Sequence, residues 1–126
     1  MCAAVADYRP ARRSEAKLKR AESGASFDLG LVENRDILKT LESPGTLRVG
    51  FAAETNDLVD HGRAKLAAKR LDLVVVNEAR ATIASRDIQP TLLFPDGTTE
   101  SIPRQSKEAF AGVLMRRVAG LLASRA

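Results

Sequence analysis

Tryptophan is missing from this 126-residue chain, and aromatic residues make up only 4% of it. So thin a supply of flat side chains leaves little from which to build base-stacking platforms. A single cysteine, Cys2, excludes an internal disulfide and any cysteine-based metal cluster. The one histidine, His61, excludes a histidine-rich metal site and leaves a histidine base without support. No run of about 18 apolar residues is available to span a membrane. The opening residues lack the basic stretch and long apolar core of a secretory signal, so a reducing cytoplasm is the expected location. Neither a phosphate loop ending in Lys-Ser/Thr nor a dinucleotide glycine fingerprint occurs, and no serine triad can be assembled.

What is present describes an ordinary folded domain. Hydrophobic residues at 44% and charged residues at 29% suit one globular unit large enough to bury a core. Twenty basic residues against sixteen acidic ones give a net charge of +4. That balance favours anionic partners such as nucleotides, nucleic acid or phosphorylated metabolites, although it also serves solubility alone.

Along the chain, residues 1–6 are apolar and read like the end of a buried strand, while residues 9–24 are polar, rich in Lys and Arg, and read as a mobile arm. Phe27, Leu29 and Leu31 alternate with polar or small residues at the period of a half-buried strand. Asn34 is placed to cap a short helix with Ile37, Leu38 and Leu41 turned inward, and Pro44-Gly45 to end it. Residues 47–53 read as a strand, with Gly50 marking a close approach by another chain or a ligand. Thr55 or Asn56 then caps a helix to about Arg70, and residues 71–76 are apolar almost throughout, as befits a parallel strand covered on both faces. Residues 91–94 form a further strand closed by the turn Pro95-Asp96-Gly97. Ser106 caps a last helix whose apolar stripe is Phe110, Val113, Leu114, Val118, Leu121 and Leu122. This alternation predicts an α/β fold, three-layer and Rossmann-like, with a mostly parallel sheet.

An open α/β sheet takes its ligands beyond the carboxyl ends of its strands, which points to residues 7–10, residues 51–56 and Asn77. Asp7, directly after an apolar run, has little structural use there; it could receive a base amino group or hold a metal. Lys65 and Lys69 are four apart and share a helix face. Their mutual repulsion costs a few tenths of a kcal/mol, whereas a phosphate oxygen at ~4 Å returns about 4 kcal/mol at an effective dielectric near 20. A merely solvated face is the plain alternative. Lys17 and Lys19 flank Leu18 in the polar arm, which suits either a solvated loop or a flap that closes over phosphates. The stretch Asn34-Arg35-Asp36 opens a helix whose amides could meet an anion, although simple capping also explains it. Phe51, after Gly50, is more often core than base contact; His61 reads as an exposed helical residue and Cys2 as a small buried one.

The order and spacing of AAVADYRP (residues 3–10), GFAAET (residues 50–55) and KLAAKRLDLVVVN (residues 65–77) resemble the carboxy-terminal half of phosphopantothenoylcysteine synthetase. The likeness runs to about Asn77 and resumes more loosely over the last strand and helix. It implies a ligase of coenzyme A biosynthesis that uses CTP: the carboxylate of 4′-phosphopantothenate attacks the α-phosphate, pyrophosphate leaves, and the cysteine amine displaces CMP from the acyl-cytidylate. Residue by residue it implies nucleotide contacts at Met1, Cys2, Ala3, Asp7, Lys17, Arg35, Asp36, Ile37, Leu38, Phe51, Lys65 and Lys69. Lys17, the first lysine of KLKR, is implied as the catalytic group that stabilises charge at the α-phosphate. Lys65 and Lys69 would hold the triphosphate with Mg²⁺, and Asp7 with the backbone near Ala3 would either read the base or position the metal. FMN belongs only to a decarboxylase domain often fused ahead of the synthetase, and a homodimer or a missing amino-terminal half is the implied complement.

Three departures accompany the resemblance. Glu33-Asn34-Arg35-Asp36 stands where the family has Lys-Asn-Pro-Asp, so a charge is reversed at Glu33 and Arg35 replaces a first-turn proline. The family's Gly-Phe and Ser-Asp-x-Asn signals are blurred between Ala84 and Gln89. The glycine-rich opening strand and the Asn that acts on the intermediate precede the position matching Met1, so the expectation is a sheet incomplete at its amino-terminal side, with an exposed apolar edge. A partial synthetase domain, residues 1–126 with a basic flap at 9–24, is thus the leading reading. A non-catalytic nucleotide-binding or interaction module of the same fold is the alternative. A nucleic-acid-binding domain ranks last, for want of aromatics and a basic recognition helix.

Overall fold

The computed structural model describes residues 5–19, 26–42, 44–54, 57–78 and 85–125. The chain forms two compact units, Met1–Leu41 and Glu42–Ala126.

In the first unit, strands β1 (Tyr8–Pro10) and β2 (Leu31–Glu33) pair antiparallel, with Tyr8 opposite Glu33 and Pro10 opposite Leu31. Asn34 closes this ribbon. Its backbone N–H donates to the Asp7 carbonyl at 2.7 Å, its side-chain amide donates to the Ala6 carbonyl at 2.8 Å, and its Oδ1 accepts from the Arg9 guanidinium at 2.9 Å. Helix α1 (Ile37–Thr40) follows and is capped by Asp36, whose Oδ1 accepts the Lys39 N–H at 3.0 Å.

Several expectations change here. Asn34 is spent on the ribbon, so Asp36 takes the cap two residues later. Val5, Phe27, Leu29 and Leu31 are all more than half exposed, and only Leu31 of the four lies in a strand. Alternation of apolar residues needs a second layer to bury one face, and this unit supplies none among its described residues. Ile37 and Leu41 are exposed too, and the helix has already ended before Leu41.

The second unit carries the core. Strand β3 (Val49–Glu54), helix α2 (Leu58–Ala68) and strand β4 (Leu73–Glu78) make one parallel crossover, with Gly50 opposite Val74 and Phe51 opposite Val75. Two short ladders follow in the chain: β5 (Asp87–Ile88) pairs with β8 (Gln105–Ser106), and β6 (Thr91–Leu93) pairs with β7 (Thr99–Ser101). The main sheet runs β3-β4-β6-β7. Within it β3–β4 is parallel, whereas β4–β6 and β6–β7 are antiparallel. The α/β class stands, and the carboxy-terminal half of the sheet reverses direction. A tight turn over residues 95–97, closed by the Phe94 N–H donating to the Thr98 carbonyl at 3.0 Å, returns β6 as a hairpin, where a parallel partner would need a long crossover. Gly97 closes that turn at φ +91°, a conformation costly for a residue with a Cβ.

Helices cover both faces of this sheet. Gly62 of α2 lies against one face so closely that a Cβ there would come within 2.5 Å of Val76 and 2.6 Å of Leu93. The other face buries Leu73, Val75 and Leu92 with Ile88, Ile102 and Phe110. Phe110 belongs to helix α3 (Lys107–Ala123), which Ser106 caps by accepting the Ala109 N–H at 3.1 Å. Val113, Leu114 and Leu121 continue its inner stripe, while Leu122 falls outside it and is 48% exposed. Gly50 is needed for the chain's own packing: its missing Cβ leaves room for Leu71, which would otherwise approach to 2.5 Å. Thr55 and Asn56 lie outside the described residues, and Asp57 occupies the cap position of α2.

Candidate functional site

Beyond the carboxyl end of β4 the second unit opens a cavity of about 260 Å³. Its position follows from the reversal of the sheet: β6 begins where β4 ends, so the crossings at Pro90-Thr91 and Ser101-Ile102 frame the space. Leu58, Val76, Ile88 and Ile102 give it an apolar floor, and Glu78, Gln89 and Ser101 a polar rim. Arg104 also reaches the rim, its Nε donating to Asp87 Oδ2 at 3.3 Å. Such a recess suits a small ligand bearing both charge signs.

The residues singled out from sequence fall in several places. Met1, Cys2 and Ala3 lie outside the described residues. Asp7 is exposed just ahead of β1, and its carbonyl serves the ribbon. Lys17 is exposed within an irregular stretch. Arg35 donates from Nε to Thr40 Oγ1 at 3.1 Å, bracing the short helix in which Ile37 and Leu38 sit. Because the Asp36 carboxylate already receives the Lys39 N–H, capping accounts for this stretch.

Phe51 is neither core nor at a strand end: it is mid-strand in β3 and 62% exposed. Residues 51–54 lie within β3, and Asn77 is buried within β4. The strands run further than their apolar residues indicate, so the region past their ends begins later. Lys65 sits in the last turn of α2 and Lys69 caps it, its N–H donating to the Lys65 carbonyl at 3.0 Å. A crossover helix runs opposite to the strands it joins. Both lysines therefore stand at the amino edge of the sheet, across the unit from the cavity, where the helix dipole also favours cations. They and the cavity do not make one site. Asp87 and Arg104 were not legible as neighbours, because only the β5–β8 ladder brings residues 17 apart together.

Among the described residues no group of three or more His, Cys, Asp or Glu side chains could hold a metal ion. No described helix is long and apolar enough to cross a membrane.

Residues 1–122 match the DNA/pantothenate metabolism flavoprotein C-terminal domain family. The chain belongs to this family. Its curated relatives include the coenzyme A biosynthesis bifunctional protein CoaBC of Vibrio vulnificus, 37% identical over 96% of this chain and 31% of that protein. The protein of the same name from Bacillus subtilis is 36% identical over 94% of this chain and 30% of its own length. The chain thus spans about a third of the curated relatives it matches. A crystal structure of the C-terminal domain of a CoaBC protein superposes with TM-score 0.72 at 27% identity, covering 97% of this chain and 53% of that one. The DNA/pantothenate metabolism flavoprotein of Streptococcus pneumoniae, at 19% identity and TM-score 0.72, shares the fold. The family resemblance and the α/β class expected from sequence both hold.

Proposed function

We propose that the chain is the carboxy-terminal portion of a phosphopantothenate–cysteine ligase domain, with a basic flap at about residues 9–24. The observation that carries this reading is the family match over residues 1–122, supported by relatives named for coenzyme A biosynthesis. The reaction joins 4′-phosphopantothenate to cysteine through an acyl-cytidylate at the expense of CTP. Lys17 stabilises the charge that builds at the α-phosphate, a role that exposure on an irregular segment permits because the side chain can follow the reacting group. Lys65 and Lys69 supply cationic charge to the triphosphate. The described residues do not assemble a Mg²⁺ site, and this reading routes no step through the ion. The protein acts in the cytoplasm as a homodimer, and turnover belongs to the complete synthetase domain.

A second reading, a non-catalytic nucleotide-binding or interaction module, draws on Glu33. This acidic residue is exposed at the end of β2, immediately before the expected contacts Arg35 to Leu38.

Calorimetric titration of the chain with CTP and Mg²⁺ tests the nucleotide role. Saturable binding is expected, weaker for ATP and weakened at least several-fold by Lys17→Ala, Lys65→Ala or Lys69→Ala, with Arg116→Ala unchanged. A folded chain that binds no CTP overturns the reading. Equal losses in all four variants reduce it to nonspecific charge.

A further inference from the structure

The ribbon of the first unit has no buried face to fix its register. Every residue of β1 and β2 is exposed, so burial does not tell one alignment of the strands from another. A two-stranded ribbon this short is also marginal in water by itself. Yet one register is kept past both strand ends. The Asn34 N–H donates to the Asp7 carbonyl at 2.7 Å, and the Ala11 N–H donates to the Gly30 carbonyl at 2.9 Å. Something other than burial selects it.

Asn34 has the chemistry to do so. It is half-buried, unlike the strand residues before it. A carboxamide carries both donors and an acceptor, and here both kinds reach across the ribbon. Its Nδ2 donates to the Ala6 carbonyl at 2.8 Å, and its Oδ1 accepts from Arg9 Nη1 at 2.9 Å. The same Arg9 nitrogen donates to the Glu33 carbonyl at 2.9 Å. Residues 6, 7 and 9 of one side are thus tied to residues 33 and 34 of the other. A slip of the strands in either direction would break these bonds together.

We propose that Asn34 is a positioning residue for nucleotide binding: the register it fixes keeps Asp7 beside the segment Arg35 to Leu38, so that both meet one nucleotide. The proposal rests on the reading of those residues as nucleotide contacts. Asp7 directly precedes β1 and Arg35 directly follows Asn34, so the clamp lies between the two groups. Asp7 is held by its carbonyl alone among the printed ribbon bonds, and the residue stays exposed. Asn34 acts on the ligand only through these neighbours.

The clamp can be altered without touching either group of contacts. Asn34→Ala removes both side-chain bonds, whereas Asn34→Asp keeps an acceptor for Arg9 and loses the donor to Ala6. The full chain and both variants are titrated calorimetrically with CTP and Mg²⁺, and Asn34→Ala is combined with Asp7→Asn in a double-mutant cycle. Kd should rise about fivefold or more in each Asn34 variant, and the cycle should be non-additive, because a displaced Asp7 has little contact left to lose. Without nucleotide, cross-strand NOEs between Tyr8 and Glu33 and between Arg9 and Val32 should weaken in Asn34→Ala. Tm should stay level, since the core lies in the second unit. Additive losses, or NOEs unchanged in Asn34→Ala, overturn the positioning role. A parent chain that binds CTP no better than Asn34→Ala overturns this proposal alone, whereas a folded parent that binds no CTP overturns the nucleotide reading and this proposal with it.

Discussion

Gly62 shows what a single atom decides in this protein. It faces the β-branched Val76 on the central strand and Leu93 beside it, both fully enclosed, and a methyl group has nowhere to go. Replacing a helical glycine with alanine ordinarily helps, by about 1 kcal/mol of helix propensity. Overpacking a core costs about 1–3 kcal/mol and reverses that sign. Gly62→Ala should therefore lower stability by about 1–2 kcal/mol, read as a lower urea midpoint with an unchanged slope. A stabilised variant would mean that α2 can move off the sheet.

At the scale of elements, helix α3 is held to the sheet by its apolar stripe and by one polar clamp. Arg117 donates from Nε and an Nη to the two oxygens of Glu100 on β7, at 2.8 and 2.6 Å. This pairing holds the Glu100 carboxyl below its ordinary range, chiefly through the hydrogen bonds from Arg117, and raises Arg117 in turn. A carboxyl whose folded pKa is depressed stabilises the fold above its unfolded pKa and loses that contribution as pH falls through the folded one. Arg117 keeps its proton throughout that window. The urea midpoint should consequently drop as pH is lowered through the carboxylate range, and Glu100→Gln should flatten part of that slope while leaving neutral-pH stability within the small range typical of exposed pairs. An identical slope in the variant would mean that the clamp contributes nothing.

On the scale of the whole molecule, the two units differ in what they bury. Strand β4 is enclosed from Leu73 to Asn77, whereas every residue of β1 and β2 is exposed. A two-stranded ribbon without a covering layer opens cheaply, and amides in a doubly covered strand open only with the entire core. Hydrogen exchange should accordingly be faster in residues 8–10 and 31–33 than in residues 73–77 by orders of magnitude, measured on the intact chain. Comparable protection would show that a partner or a second copy covers the ribbon, which fits the proposed homodimer.

Local chemistry determined much of this by itself. The apolar run at 71–76 suits a strand covered on both faces, Ser106 ahead of a 3.6-residue stripe suits a helix start, and Pro95-Asp96-Gly97 signals a turn, and all three elements form there. The motifs at residues 3–10, 50–55 and 65–77 placed the chain in its family. Tertiary structure decided what depends on residues far apart in the chain. Alternating Phe27, Leu29 and Leu31 specify a buried face only if something covers it, and exposure is a property of neighbours rather than of the segment. Asn34 could cap or clamp, and the carbonyls of Ala6 and Asp7 settled which. Lys65 and Lys69 share a helix face by spacing, but which edge of the sheet they reach depends on the direction of the crossover. Arg9 and Asn34 lie 25 residues apart in sequence, and only the pairing of β1 with β2 sets them side by side.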